Sequence, residues 1–185
     1  MIDINNPVYA HEYSPQAEWK AALISNLGNR FGLRTLVETG TCHGDTVQRV
    51  RQSFKEIWSI ELCKEYFEIA HKRFEGDGNV HIVFGSSKEK LPDVIRQTQG
   101  ALLFFLDAHV TNPTSANDGD PIPEELAAIK TWRPDSLVLI DDVKPDKTGY
   151  TGQDAHINIP EGWTAKFLYG VLAVHDGRYV IPERL

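Results

Sequence analysis

The chain reads as an α/β domain: a doubly wound, mostly parallel sheet of seven strands with an antiparallel last strand and helices on both faces. Three observations point there. Short apolar runs rich in Val, Ile, Leu and Phe alternate with segments of helical period, the mark of a parallel sheet covered on both sides. Five such strand–helix units precede a tail whose apolar segments flank His175-Asp176-Gly177, a turn signal for an antiparallel hairpin. The length, 185 residues, suits a single core rather than two.

In chain order, Ser14 and Pro15 open a helix running through Trp19, Leu23 and Leu27, with Gly28 and Gly32 available to end it. Residues 1–33 are thus an N-terminal helical cover, and residues 34–185 form the core of a single domain spanning 1–185. The strand candidates are Thr35–Glu38, Ile57–Glu61, Val80–Phe84, Leu102–Asp107 and Leu137–Asp141. Lys64 to Phe74 places Phe67, Ala70 and Phe74 on one helical face and Lys64, Glu68 and Lys72 towards solvent. Asn112 to Pro123, dense in Pro, Gly, Asn and Asp, reads as neither helix nor strand. Ala165–Val174 and Tyr179–Ile181 are the two arms of the terminal hairpin.

Composition narrows the function. Hydrophobic residues at 41% and charged residues at 24% leave no case for a disordered chain. A formal charge of -7, with no segregated Lys/Arg run, argues against nucleic acid as a partner. Cys42 and Cys63 read as reduced thiols, which with the absence of a leader-like amino terminus or an apolar span leads to the expectation of a soluble cytoplasmic protein without a membrane partner. A homodimer is left open.

Right-handed crossovers bring the carboxyl ends of the parallel strands to one edge, so the residues after each apolar run carry the site. After the first run come Glu38-Thr39-Gly40-Thr41-Cys42-His43-Gly44-Asp45. A dinucleotide-binding loop would have a further glycine where Cys42 stands, and Glu38 would repel a pyrophosphate. The same carboxylate suits a ligand bearing an ammonium and a sulfonium, as S-adenosylmethionine (SAM) does. The plainer alternative is a tight turn chosen for packing. Glu61 stands about 20 residues beyond the loop, the spacing of a ribose acceptor, or else it favours the start of the next helix. Gly85-Ser86-Ser87 could bond an adenine edge or act as an N-cap.

Taken together, VETGTCHGDT, SIE and FFLDAH resemble the successive motifs of class I SAM-dependent methyltransferases, from about Thr35 onward. The resemblance implies a Rossmann-like sheet, with the loop of Gly40, Thr41 and Gly44 under the methionine moiety and Glu61 on the ribose; Glu38, Gly85, Ser86 and Asp107 are the further candidate cofactor contacts. Asp107-Ala108-His109 and Asp141-Asp142 end neighbouring strands, and clustered acids call for a positive charge between them. A hard divalent cation, Mg²⁺ or else Mn²⁺ or Ca²⁺, would serve.

The placement of Asp107, Asp141 and Asp142 resembles metal-dependent O-methyltransferases of the catechol and macrolide-sugar types, in which such acids hold Mg²⁺ and the metal binds a substrate hydroxyl. The lysine often found shortly after the first Asp in the catechol type is absent, since Val110 stands there. His109 is therefore the nearest candidate base, or else a metal ligand or wall residue, and Lys144 is the second candidate base. On another reading Asp107 touches cofactor and Asp142 caps a turn. Asp118 and Asp120 lie in the loop from Val110 to Pro123, read as a lid; Tyr9, His11, Tyr13, Trp132 and Trp163 are candidate pocket aromatics.

The sequence thus predicts a SAM-dependent methyltransferase that modifies a hydroxyl of a small-molecule acceptor with Mg²⁺ activation. The alternatives are a metal-free N- or O-methyltransferase of the same fold and a non-catalytic nucleotide- or metabolite-binding module. An NAD-dependent oxidoreductase is disfavoured by Cys42 and Glu38.

Overall fold

The computed structural model describes residues 15–108, 119–152 and 156–182. The chain opens with α1 (Pro15–Phe31), then alternates β1 (Thr35–Thr39), α2 (Asp45–Val50), β2 (Glu56–Glu61), α3 (Lys64–Arg73), β3 (Val80–Phe84), α4 (Ser87–Gln97) and β4 (Leu103–Leu106). After α5 (Ile122–Trp132) and β5 (Leu137–Ile140) come a two-residue ribbon, β6 (Lys144–Pro145) with β7 (Tyr150–Thr151), and the closing pair β8 (Thr164–Leu168) and β9 (Val171–His175).

The main sheet has seven strands in the order β3-β2-β1-β4-β5-β9-β8. Strands β1 to β5 are parallel, and β9, the last, runs antiparallel to both of its neighbours. From β1 the chain winds outward through β2 to β3, then crosses back to β4 beside β1. That reversal opens a crevice at the carboxyl ends of β1 and β4, the place where such sheets bind ligands.

Two-residue alternation explains why the central strands are apolar throughout. Leu103 and Phe105 of β4, Leu137 and Leu139 of β5, and Val171 and Ala173 of β9 face a core with Ile24 and Leu27 of α1 and Val47 and Val50 of α2. Their alternates Phe104, Leu106, Val138, Ile140, Leu172 and Val174 face a second core built with Leu91, Val94 and Ile95 of α4 and Leu126 and Ile129 of α5. Helix α3 forms on the predicted face, burying Ala70, and α1 stops before Gly32, whose φ is 68°.

Apart from one-residue shifts at strand ends, the terminal hairpin and the start of α5 differ from the sequence prediction, and Tyr179–Ile181, expected as the second hairpin arm, forms no strand. The hairpin turns at Tyr169-Gly170, not at His175-Asp176-Gly177, because Leu168 pairs with Val171. Both turn residues have positive φ, 48° and 101°, as a two-residue turn matched to strand twist requires. The long apolar run from Ala165 to Val174 hid it by splitting into two strands. Ile122 and Pro123, read as the end of a loop, instead begin α5, where a proline costs no helical hydrogen bond.

Candidate active site

The loop after β1 is set by its neighbours before any ligand is considered. Gly40 has φ 85°, and a Cβ there would lie 2.3 Å from the Asp107 carbonyl oxygen and 3.0 Å from the Ala108 Cα. Gly44 has φ 80°, and its Cβ would meet the Phe74 ring at 2.5 Å. Both glycines therefore answer to packing, the plainer alternative above, while leaving the backbone at the crevice. Between them Cys42 takes φ 49° and is exposed.

Polar contacts hold that loop to β2. Gly40 N donates to the Ile60 carbonyl at 2.9 Å, and the Thr41 and Ser59 hydroxyls are 2.6 Å apart. Ser59 Oγ also donates to Glu38 Oε2. Glu38 is buried, and burial pushes its carboxyl up to about 8, against the help of Ser59, so that it is mainly protonated at neutral pH.

Glu61 faces the same loop. Its Oε2 accepts from Cys42 N at 2.8 Å and its Oε1 from Cys63 N at 2.7 Å. Burial raises its pKa, and these amides work against the rise. The carboxylate thus ties the glycine loop to the start of α3, the second of the two roles read from the sequence. Gly85 N continues the ladder by donating to the Glu61 carbonyl at 2.9 Å, and Gly85-Ser86 leads directly into α4. Ser86 makes no side-chain cap hydrogen bond. Glu38, Gly40, Thr41, Gly44, Glu61, Gly85 and Ser86 consequently line one stretch of the sheet edge.

Asp107 and Asp141 begin where β4 and β5 end in matched register. Asp107 N donates to the Thr39 carbonyl and Asp141 N to the Leu106 carbonyl, each at 3.0 Å. The positive charge that this corner demands comes from Lys20 on α1. Its Nζ donates to Asp141 Oδ2 and lies 3.5 Å from Asp142 Oδ1. Burial works against the Lys20 ammonium, but the charge and hydrogen bond of Asp141 outweigh it, with Asp107 and Asp142 adding, and its pKa rises. Burial and the charge of Asp141 push Asp107 well above the carboxylate range, with Lys20 opposing.

The three aspartates do not fit a divalent ion as they stand. Among the described residues no group of three His, Cys, Asp or Glu side chains converges as a ligand set, and the Lys20 ammonium already sits against Asp141 and Asp142. Sequence reasoning missed Lys20, although a signal was there: Lys20, Leu23, Ile24 and Leu27 share one helical face at i, i+3, i+4 and i+7, and the three apolar members are buried.

The two candidate bases fare differently. His109, with Val110 to Asp118, lies outside the described residues, as do Tyr9, His11 and Tyr13. Lys144 is exposed on the β6–β7 ribbon, and no ion pair with the aspartates is described for it. Asp120 forms the turn before α5, its Oδ1 accepting from Ile122 N at 3.0 Å. Trp163 packs on the second core, whereas Trp132 is exposed at the end of α5.

A second buried acid went unread. Glu125 of α5 is 1% exposed, and burial pushes its carboxyl up to about 7. The Ser87 and Thr39 hydroxyls lie near enough to ease this, but neither carboxyl oxygen has a hydrogen bond of standard geometry. A carboxyl whose folded pKa is raised favours folding while protonated, and that benefit is lost as pH climbs from the unfolded value near 4.5 through 7. Glu125→Gln should remove the loss, making the protein more stable than the parent at pH 8 by roughly 3 kcal/mol and nearly equal at pH 4.5. Urea unfolding at both pH values checks this.

No family model matches the chain, and no curated protein matches it in sequence. Solved structures do resemble it. The SAH-bound methyltransferase PaMTH1 of Podospora anserina superposes with a TM-score of 0.62 at 13% identity, over 92% of this chain and 82% of that one. The O-methyltransferase TomG of Streptomyces achromogenes, involved in tomaymycin synthesis and solved with SAM, gives 0.53 at 23% identity over 70% of this chain and 56% of that one. A Bacillus cereus O-methyltransferase in complex with SAH gives 0.52 at 20% identity, over 72% and 59% respectively. The fold is that of the class I SAM-dependent methyltransferases, as the motifs after β1, β2 and β4 implied. No described helix is long and apolar enough to cross a membrane.

Proposed function

We propose that the protein transfers the methyl group of SAM to a hydroxyl of a small molecule. The observation that carries this reading is the joining of two acidic stations along one sheet edge, Glu38 and Glu61 around the glycine loop and Asp107 with Asp141 one strand over. The first suits a cationic cofactor and the second the oxygen that receives its methyl. In the reaction the acceptor oxygen attacks the methyl carbon in line, an O–C bond forms, the C–S bond breaks, and its electron pair stays on sulfur. The protein's share is alignment of the two reactants, and His109 takes the hydroxyl proton in this reading. Activation by Mg²⁺, foreseen from the sequence, has no step here because Lys20 stands against the acids that would hold it.

Glu38 offers a check that needs no acceptor. It is mainly protonated at neutral pH, and an ammonium or sulfonium brought beside it favours the carboxylate. SAM binding at pH 7 should therefore release protons to buffer, read as a difference in binding heat between buffers of unequal ionisation enthalpy. Zero release or net uptake would contradict the placement of the cationic group at Glu38. The activity itself is tested by incubating the protein with methyl-labelled SAM and a panel of small polyhydroxylated acceptors. Label transfer to oxygen supports the reading, and SAM binding with no transfer to any of them favours a metabolite-binding module.

A further inference from the structure

We infer that Lys20 is the resident cation of the Asp107–Asp141–Asp142 corner, standing where a divalent ion would bind, so that the protein works without a metal at this site. The inference rests on the proposed methyl transfer only for what the corner does in catalysis; the occupancy of the corner is a separate matter.

The first support is tethering. Lys20 stands on a helix whose place is fixed by Leu23, Ile24 and Leu27, which are 2% exposed or less. The neighbouring Trp19 sets its ring edge-on to Tyr169 of the β8–β9 turn at 6.1 Å, and Val143 N donates to the Gly170 carbonyl at 2.7 Å. Helix, turn and the segment after β5 thereby hold ammonium and carboxylates in one arrangement. The second support is burial. Asp141 is 1% exposed and Lys20 19%, so each charge sits where losing its partner is costly.

The third support is electrostatic. A divalent ion ligated by Asp141 and Asp142 would come within a few ångströms of the ammonium and be repelled by it. Metal entry would therefore have to displace the Lys20 ammonium from both carboxylates. An ammonium has three N–H donors, and the described contacts direct it at two carboxylates, which leaves it able to hold a third oxygen. With the acceptor hydroxyl as that oxygen, Lys20 is a fixed positive charge beside the nucleophile.

The test is Mn²⁺ binding by the full chain after chelator treatment and dialysis, followed by the electron paramagnetic resonance signal of free Mn²⁺ and by thermal unfolding. The parent protein should leave the free Mn²⁺ signal and its own Tm unchanged. Lys20→Met should take up one equivalent of Mn²⁺ and gain Tm with it, and adding Asp141→Asn should abolish both effects. Should Lys20→Met fold poorly alone, the gain in Tm with Mn²⁺ still reports the vacated site. Lys20→Arg, which keeps the charge, should behave as the parent does.

One equivalent of Mn²⁺ taken up by the parent and lost in Asp141→Asn would overturn the inference. So would a Lys20→Met protein that ignores Mn²⁺ in both readouts. Parallel calorimetry with SAM keeps the two readings apart: absence of SAM binding counts against methyl transfer alone, and Mn²⁺ uptake by a SAM-binding parent counts against the role of Lys20 alone.

Discussion

Gly40→Ala should weaken SAM binding about 100-fold, equivalent to about 2.7 kcal/mol, and lower stability as well. Two effects add. An L side chain at φ 85° is strained by about 1–2 kcal/mol, and the new methyl would sit 2.3 Å from the carbonyl oxygen of Asp107. That neighbour is backbone at the end of a central strand and cannot step aside as a flexible side chain would. Relief requires β1 and β4 to part at their carboxyl ends, which moves the Cys42 amide held by Glu61 and the Asp107 carboxylate together. Gly32→Ala is the control, since Gly32 has φ 68° but no atom within 4 Å of its Cβ. It should cost about 1 kcal/mol of stability and leave SAM affinity unchanged. Calorimetry and denaturant unfolding of both variants measure the difference.

Lys20→Met should destabilise the protein by about 3 kcal/mol in metal-free buffer, the low end for breaking a buried ion pair because Lys20 keeps 19% exposure. Most of the cost is the charge left behind on Asp141, which is 1% exposed. Adding Asp141→Asn should therefore recover a large part of the loss, and the double-mutant cycle should give a coupling energy well above that of a surface pair. The pair Lys64 with Glu68, exposed on α3, provides the comparison and should show almost no coupling. An additive cycle at Lys20 and Asp141 would contradict the geometry described for them.

The sheet was legible because its signals are local. Apolar runs such as Leu102–Leu106 are buried on both faces, so burial needs no alternation to reveal it, and the residues that follow them mark the edge that carries the candidate site. The glycine loop and Glu61 were legible for the same reason, although the structure shows that Gly40 and Gly44 are held by packing on Asp107 and Phe74. The hairpin turn was misplaced because Tyr169-Gly170 lies inside a continuous apolar stretch, whereas Asp176-Gly177 has stronger local turn chemistry. Lys20 escaped because its partners are 121 and 122 residues away in sequence. The sequence reading asked for positive charge at Asp141 and expected Mg²⁺ to supply it, whereas the cation that the structure sets there is the Lys20 ammonium. Glu125 escaped for a related reason: an acid in the first turn of a helix reads as a favourable dipole contact, and only the packing of α5 on α4 and β1 shows that it is buried.

The most direct measurement is a calorimetric titration of the chelator-treated protein with SAM and with S-adenosylhomocysteine. The site around Gly40 and Glu61 predicts saturable one-to-one binding of both below millimolar concentration without added metal, lost in Gly40→Ala and retained in Gly32→Ala. No saturable binding of either ligand, or binding indifferent to Gly40→Ala, would contradict the assignment of this sheet edge as the site of a SAM-dependent methyltransferase.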